Sequence, residues 1–288
     1  MMRKKLHALW LLPIIVVRNT AHEVLSQSQE EPMLIKRDFL YPPKNASRPL
    51  HIWLPEDYAS SQERYPVCYF FDGHNLFQDA DATYGKSWGF SEFLSRWEKP
   101  MILVGMECGH QGDERLSEYM PYPSQGWFSQ FEPMGDATFR WILEDVKPFI
   151  DGQYRTIPFR ECTAIGGSSM GGIMSLYGAI HYNRWFSKAA CLSSSVNFCM
   201  EPLKADLAAS QIDPDTRIYL SWGTREAQKD NWQKMDPNTP TCRNNAFIAQ
   251  TLEEKQAAVK LECQVGGGHC EADWEQLIPS FMDFLWMH

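Results

Sequence analysis

The sequence predicts an α/β fold in which a mostly parallel central sheet is covered by helices on both faces. Two observations carry this. From Met33 onward, short apolar runs with strand character alternate with segments of helical period. Several of those runs, such as Val67-Cys68-Tyr69-Phe70-Phe71 and Ala189-Ala190-Cys191-Leu192, are apolar throughout, as strands buried on both faces must be. At 288 residues the chain is long for one domain, yet α/β folds commonly reach about 250 residues as a unit.

The first 32 residues stand apart. Met1-Met2-Arg3-Lys4-Lys5 followed by the apolar stretch Leu9 to Val17 has the outline of a signal peptide. His7 and Pro13 interrupt it, Arg18 closes it, and the best cleavage candidate, Thr20-Ala21, has Asn19 where a small residue is wanted. The run is also too short to span a bilayer, which takes about 20 residues. Residues 1–32 are therefore read as an uncertain leader or a misassigned start, with Met33 as the alternative first residue, and 33–288 as a single domain.

The expected strands are Leu50 to Leu54, Pro66 to Phe71, Met101 to Met106, Cys162 to Ile165, Ala189 to Leu192, Ile218 to Trp222 and Val259 to Gln264. Between the third and fourth, the segment from Ala137 to Ile150 places Phe139, Ile142, Leu143, Val146, Phe149 and Ile150 on one face, with Asp136 as the N-cap. A C-terminal helix repeats the pattern with Trp274, Leu277, Ile278, Phe281, Phe284 and Leu285. Asp230 to Asn245 is polar enough to be a long surface loop, and neither a repeat nor a Pro/Gly-rich linker marks a second domain.

Composition narrows the function. With 44% hydrophobic and 22% charged residues the chain can bury a large core without a metal or disulfide staple. A formal charge of -9 provides no cationic field for phosphate backbones, which argues against nucleic-acid binding. The eight cysteines include no CxxC pair and match no zinc spacing, so they read as small buried hydrophobes kept reduced. That reading favours a cytoplasmic location, with secretion the alternative if residues 1–21 act as a signal peptide.

The chemistry concentrates in Ala164-Ile165-Gly166-Gly167-Ser168-Ser169-Met170-Gly171-Gly172-Ile173, where Gly167, Ser169 and Gly171 fill G-x-S-x-G between an apolar strand and a helix. Three fixed positions arise by chance in about one chain in ten of this length, so it is the strand-turn-helix setting that gives the motif weight. A serine nucleophile must project from a sharp turn, flanking glycines let strand and helix approach, and the helix N-terminus aims N–H groups at the developing oxyanion. Ser169 is the candidate nucleophile, Met170 supplies one such N–H, and Ser168, at the x position, is the competing hydroxyl. A glycine-rich turn without chemistry is the bland alternative.

A serine hydroxyl needs a base, and the base needs a carboxylate to hold its tautomer. In this fold they follow later strands in the order acid, then histidine. Glu226 lies just beyond the glycine that ends Ile218 to Gly223 and is the expected acid, with Asp230 the nearest alternative. His269 follows the last strand and the turn Gly266-Gly267-Gly268 and is the expected base. His7, His22 and His288 lie at the ends of the chain, His51 and His181 in predicted strand or helix, and His110 is the weakest remaining competitor. The second oxyanion N–H is expected from His74 or Asn75, in the loop Asp72-Gly73-His74-Asn75-Leu76-Phe77. His74 could instead contact substrate, and Asp72 could brace the turn.

From about Met33 to the end, the chain resembles the Putative esterase family of α/β-hydrolases, which includes enterobactin-type siderophore esterases, feruloyl and acetyl-xylan esterases and S-formylglutathione hydrolases. The resemblance rests on Phe71-Asp72-Gly73-His74-Asn75-Leu76-Phe77, Arg115 with Glu118-Tyr119, Lys147-Pro148-Phe149-Ile150 with Tyr154-Arg155-Thr156, Gly167-Ser168-Ser169-Met170-Gly171-Gly172, Gly223-Thr224-Arg225-Glu226, and Gly268-His269-Cys270-Glu271 with Trp274. It implies an α/β-hydrolase fold and a triad of Ser169, Glu226 and His269. This chain departs from many relatives in having Asp-Gly for His-Gly in the early loop, and His74 where glutamine is usual.

The expected activity is hydrolysis of a small-molecule carboxylic ester through an acyl-enzyme, with no metal or organic cofactor, no nucleic acid and no membrane span. Self-association as a homo-oligomer is compatible with it. The rivals are acyl transfer or peptidase activity on the same triad, and a non-catalytic binding protein on the same scaffold. Trp88 and Tyr119 are candidate pocket aromatics, and the loop from Glu107 to Gln130 is the expected seat of substrate choice.

Overall fold

A computed structural model describes residues 33–287. The leader, with His7 and His22, and the terminal His288 lie outside the described residues. The strands are β1 (Met33–Arg37), β2 (Leu40–Tyr41), β3 (Ala46–Ser47), β4 (Leu50–Leu54), β5 (Val67–Phe71), β6 (Ile102–Met106), β7 (Thr163–Ser168), β8 (Lys188–Leu192), β9 (Arg217–Gly223) and β10 (Ala258–Gln264). Eight form one sheet in the order β1-β4-β6-β5-β7-β8-β9-β10, while β2 and β3 pair separately. The run from β6 to β10 is parallel, and β1 and β4 add antiparallel at one edge. This is the α/β-hydrolase architecture that the alternating pattern predicts.

All seven expected strands are present. Strands β4, β6, β5 and β7, consecutive in the sheet, are buried at every position. By contrast β10, at the far edge, carries Lys260 and Glu262 and is only half-buried, and charge on an open edge discourages pairing with another chain. Strand β1 was not anticipated. Its sequence Met-Leu-Ile-Lys-Arg is short and half-exposed, so no long apolar run announces it.

Each face of the sheet carries its own core. Ile165, Ile173, Leu176, Phe139, Ile142 and Val146 belong to one; Phe70, Trp88, Phe90, Tyr219, Phe281 and Leu285 belong to the other. A close approach fits the layers together at the centre. A Cβ on Gly166 would come within 2.3 Å of the Phe70 ring on neighbouring β5, so only glycine fits there.

Four expectations are corrected. The segment predicted as one helix from 137 to 150 is helical from Gly135 to Gln153 but passes through a wide π-turn at Ile142–Val146. Pro148 follows directly, has no N–H to give and crowds the carbonyl one turn back, and a widened turn relieves that crowding. Asp136 is not the N-cap. It lies in the first turn, accepting hydrogen bonds from Arg140 Nη2 at 2.6 Å and Tyr182 Oη at 2.5 Å. The polar stretch 230–245 is loop only to Thr239, whose side chain accepts from the Cys242 N–H and caps the helix Pro240–Glu254. The C-terminal helix breaks into Glu271–Glu275 and Ile278–Trp286, with Pro279 in the first turn of the second piece. Among the described residues, no helix is long and apolar enough to cross a membrane.

Candidate active site

The elbow forms where β7 ends. Ser169 takes φ 57° and ψ −118°, a positive φ outside the regions that L-residues prefer. Its N–H donates to the Leu192 carbonyl on β8 at 3.0 Å, and its own carbonyl accepts from Ser195 N–H at 3.0 Å and Ile173 N–H at 3.2 Å. The strained turn is therefore pinned on both sides. Crowding explains the flanking glycines: a Cβ on Gly167 would lie 2.8 Å from the Gly171 carbonyl, and one on Gly171 would lie 2.9 Å from Phe71 Cβ. The helix Met170–His181 starts immediately after Ser169 and is buried along nearly its whole length. Ser168 ends β7 and is buried.

The carboxylate and imidazole arrive from the next parallel strands. Glu226 sits in a single helical turn, Thr224–Ala227, directly after β9. Its Oε1 accepts from the Gly223 N–H at 2.6 Å and from the Ser193 hydroxyl at 2.7 Å, and its Oε2 accepts from His269 Nδ1 at 2.5 Å. Three donors on one carboxylate fix both its position and the ring it faces. Asp230, the alternative acid, is exposed. Trp274 closes the arrangement, lying edge-on to the His269 ring at 5.0 Å and donating its indole N–H to Ser193 Oγ at 2.9 Å.

Ser169 and His269 line one cavity of about 410 Å³ together with His74, Asn75, Arg115 and Glu271, a volume suited to a small organic ligand. The Ser169 hydroxyl is hydrogen-bonded to Ser195 Oγ at 3.3 Å. Among the described residues, the backbone N–H groups of Met170, at the first position of its helix, and of His74 have no hydrogen-bond partner. The Asn75 N–H is spent on the Asp72 carbonyl at 2.9 Å, which distinguishes two residues that sequence alone leaves equivalent. The Asn75 side chain instead donates to Glu271 Oε1 at 3.3 Å.

The turn that carries His74 is braced from beneath. Asp72 adopts φ 59° and ψ 52°, and its carboxylate takes two hydrogen bonds from Arg115, through Nε and Nη2, each at 2.7 Å. Burial penalises the ionised carboxyl, but the Arg115 guanidinium outweighs that and holds Asp72 below the usual carboxylate range. Glu271 has no such partner. Burial, with the Asp72 charge adding to it, pushes its carboxyl upward.

Two sequence-proposed pocket aromatics are placed elsewhere. Trp88 stacks at 5.5 Å on Trp274 within one core, and Tyr119 is buried against Phe71 in the other. Tyr119 reaches the site only through its hydroxyl, which accepts from the Asp72 N–H at 3.3 Å. Both were singled out for their proximity to motifs, which says nothing of which side of the sheet they face. His110 is half-exposed and paired with Glu107, not with a serine. Ser193 and Ser195 were missed altogether. They lie in Ser193-Ser194-Ser195 just after β8, and a serine run after a predicted strand was the available signal.

Comparison with known proteins places the chain in a family. The profile of the family described as Putative esterase matches residues 44–284. The chain is 23% identical over 216 residues to YbbA of Bacillus subtilis, covering 74% of this chain and 80% of that protein. It is 28% identical over 146 residues to esterase Rv1288 of Mycobacterium tuberculosis, covering 49% of this chain and 28% of that longer protein. Among solved structures, an IroE-like serine hydrolase from Shewanella oneidensis superposes with a TM-score of 0.64 at 18% identity, over 88% of this chain and 79% of that one. The profile spans most of the chain and the fold agrees with it, so the chain belongs to the Putative esterase family of α/β-hydrolases.

Proposed function

We propose that the protein is a serine carboxylic-ester hydrolase working through an acyl-enzyme. The observation that carries the reading is the convergence of the elbow serine Ser169 and the Glu226-bound His269 on one cavity. Glu226 holds the Nδ1–H, so Nε2 is the nitrogen left to act as base. In the reactive rotamer the Ser169 hydroxyl exchanges its 3.3 Å bond to Ser195 for one to Nε2. Oγ attacks the ester carbonyl as its proton passes to His269. The resulting oxyanion takes hydrogen bonds from the Met170 and His74 N–H groups. Collapse breaks the bond to the alcohol oxygen, which leaves with the proton from Nε2. Water, deprotonated in turn by His269, then attacks the acyl-serine carbonyl; the bond to Oγ breaks, Nε2 returns the proton to Ser169 Oγ, and the acid is released.

Release of p-nitrophenol from acetate, butyrate and octanoate esters tests this, run beside Ser169→Ala and Glu226→Gln variants. Loss of about 10³-fold or more in kcat for the serine variant, with acyl transfer to Ser169 seen by intact-mass measurement, is expected. Equal turnover in variant and parent sinks the assignment, and absence of turnover in both favours a binding role on the same scaffold.

A further inference from the structure

A second cluster of reactive side chains lies beyond the triad, on the wall between the active-site cavity and a neighbouring cavity of about 520 Å³. His74 and His110 line both, and Glu107 lines the second. We propose that His74, Glu107 and His110 form a binding site for a divalent transition-metal ion of the zinc type.

The donor atoms of the three residues lie within 4.8 Å of one another. Ligands on a tetrahedral ion with bonds of about 2.0–2.1 Å stand about 3.3 Å apart, so modest side-chain shifts complete the site. His110, half-exposed in a loop, is free to make them. Two imidazoles and one carboxylate are a zinc donor set that leaves a fourth position for water or a ligand. Linear spacing gives no hint of it, because His74 follows β5 whereas Glu107 and His110 follow β6.

The independent observation is His74 Nδ1. The residue is 8% exposed, yet this nitrogen has no hydrogen-bond partner among the described residues. A buried polar atom without a partner is costly and calls for an explanation, and an ion on that lone pair supplies one. The remaining contacts are those that metal ligands ordinarily have outside the coordination sphere. Nε2 of His74 is hydrogen-bonded to Thr83 Oγ1 at 3.0 Å, which leaves Nδ1 as the coordinating nitrogen when Nε2 carries the proton. Glu107 Oε1 is held by buried His51 Nε2 at 2.5 Å, leaving Oε2 towards His110 at 2.8 Å. Of the cations nearby, Arg115 is paired with Asp72 and Lys36, which lines the second cavity, with Asp81.

Titration of the full chain, stripped with chelator, with Zn²⁺ alone by calorimetry and with Co²⁺ alone by visible absorption tests the site. One equivalent bound by the parent, weakened at least about tenfold in His110→Ala, and a Co²⁺ spectrum of nitrogen and oxygen coordination are expected. The exposed position of His110 makes its variant the one that keeps the fold, and a Thr83→Val variant should lose a smaller part of the affinity. Equal affinity in parent and His110→Ala, absence of binding at micromolar metal, or a sulfur-to-cobalt charge-transfer band pointing to Cys270 would overturn the proposal.

Discussion

Ser193 donates its hydroxyl proton to Glu226 at 2.7 Å while accepting the Trp274 indole N–H at 2.9 Å. It thereby links the carboxylate that holds His269 to the ring that lies edge-on to that histidine. Ser193 has φ 45°, a left-handed conformation, and its N–H is anchored on the Ser221 carbonyl at 2.8 Å.

Ser193→Ala removes a hydrogen bond to a charged group, worth about 1.5–3 kcal/mol, and leaves the Trp274 N–H unpaired. Ester turnover should fall by on the order of 10- to 100-fold with substrate KM little changed. Steady-state kinetics on p-nitrophenyl esters check this, and an unaltered kcat refutes a positioning role for Ser193.

Gly167→Ala places a methyl group 2.8 Å from the Gly171 carbonyl. The backbone cannot yield without moving the helix start. Destabilisation of about 1–3 kcal/mol is expected, accompanied by loss of turnover as Ser169 and the Met170 N–H shift, measured by urea unfolding beside kinetics.

Arg115→Met strands the buried Asp72 carboxylate. We expect about 2–4 kcal/mol of destabilisation, reduced from that of a fully buried pair because the Arg115 side chain is partly solvated. The double variant with Asp72→Asn should recover much of it. Denaturant melts of the four proteins in the cycle decide the matter, and strict additivity would refute the pairing.

Asp136 links stability to pH. Burial raises its carboxyl, but hydrogen bonds from Tyr182 and Arg140 prevail and leave it below its ordinary value of 3.8. A carboxyl lowered in the folded state contributes stability above its unfolded value that is lost as pH falls through the folded one. The melting temperature of Asp136→Asn should therefore lie below the parent's at neutral pH, with the gap narrowing as pH drops below about 4. A gap independent of pH would contradict the assignment.

The legible parts of the sequence are those where local chemistry settles the outcome. Runs such as Val67 to Phe71 can only be buried strands, and Gly167, Ser169 and Gly171 announce a turn whose crowding the glycines relieve. His269 and Glu226 were reachable because each follows a readable strand. What was hidden depends on pairs distant in sequence. Ser193 meets Trp274 across 81 positions and Tyr182 meets Asp136 across 46, and no periodicity encodes such meetings. The π-turn before Pro148 was hidden for a different reason, since the apolar spacing on either side of it still reads as one continuous helix.

The parallel run of β7, β8, β9 and β10 delivers Ser169, Ser193, Glu226 and His269 from the ends of four successive neighbours in the sheet. The reactive atoms thus inherit their spacing from the interstrand hydrogen-bond ladder, about 4.8 Å per step, and not from the segments that roof the cavity. Under the proposed function, reaction machinery and substrate selection become separable modules. The stretch 107–130, rooted beyond β6, can then change in length or composition during divergence while Ser169, His269 and Glu226 keep their mutual geometry.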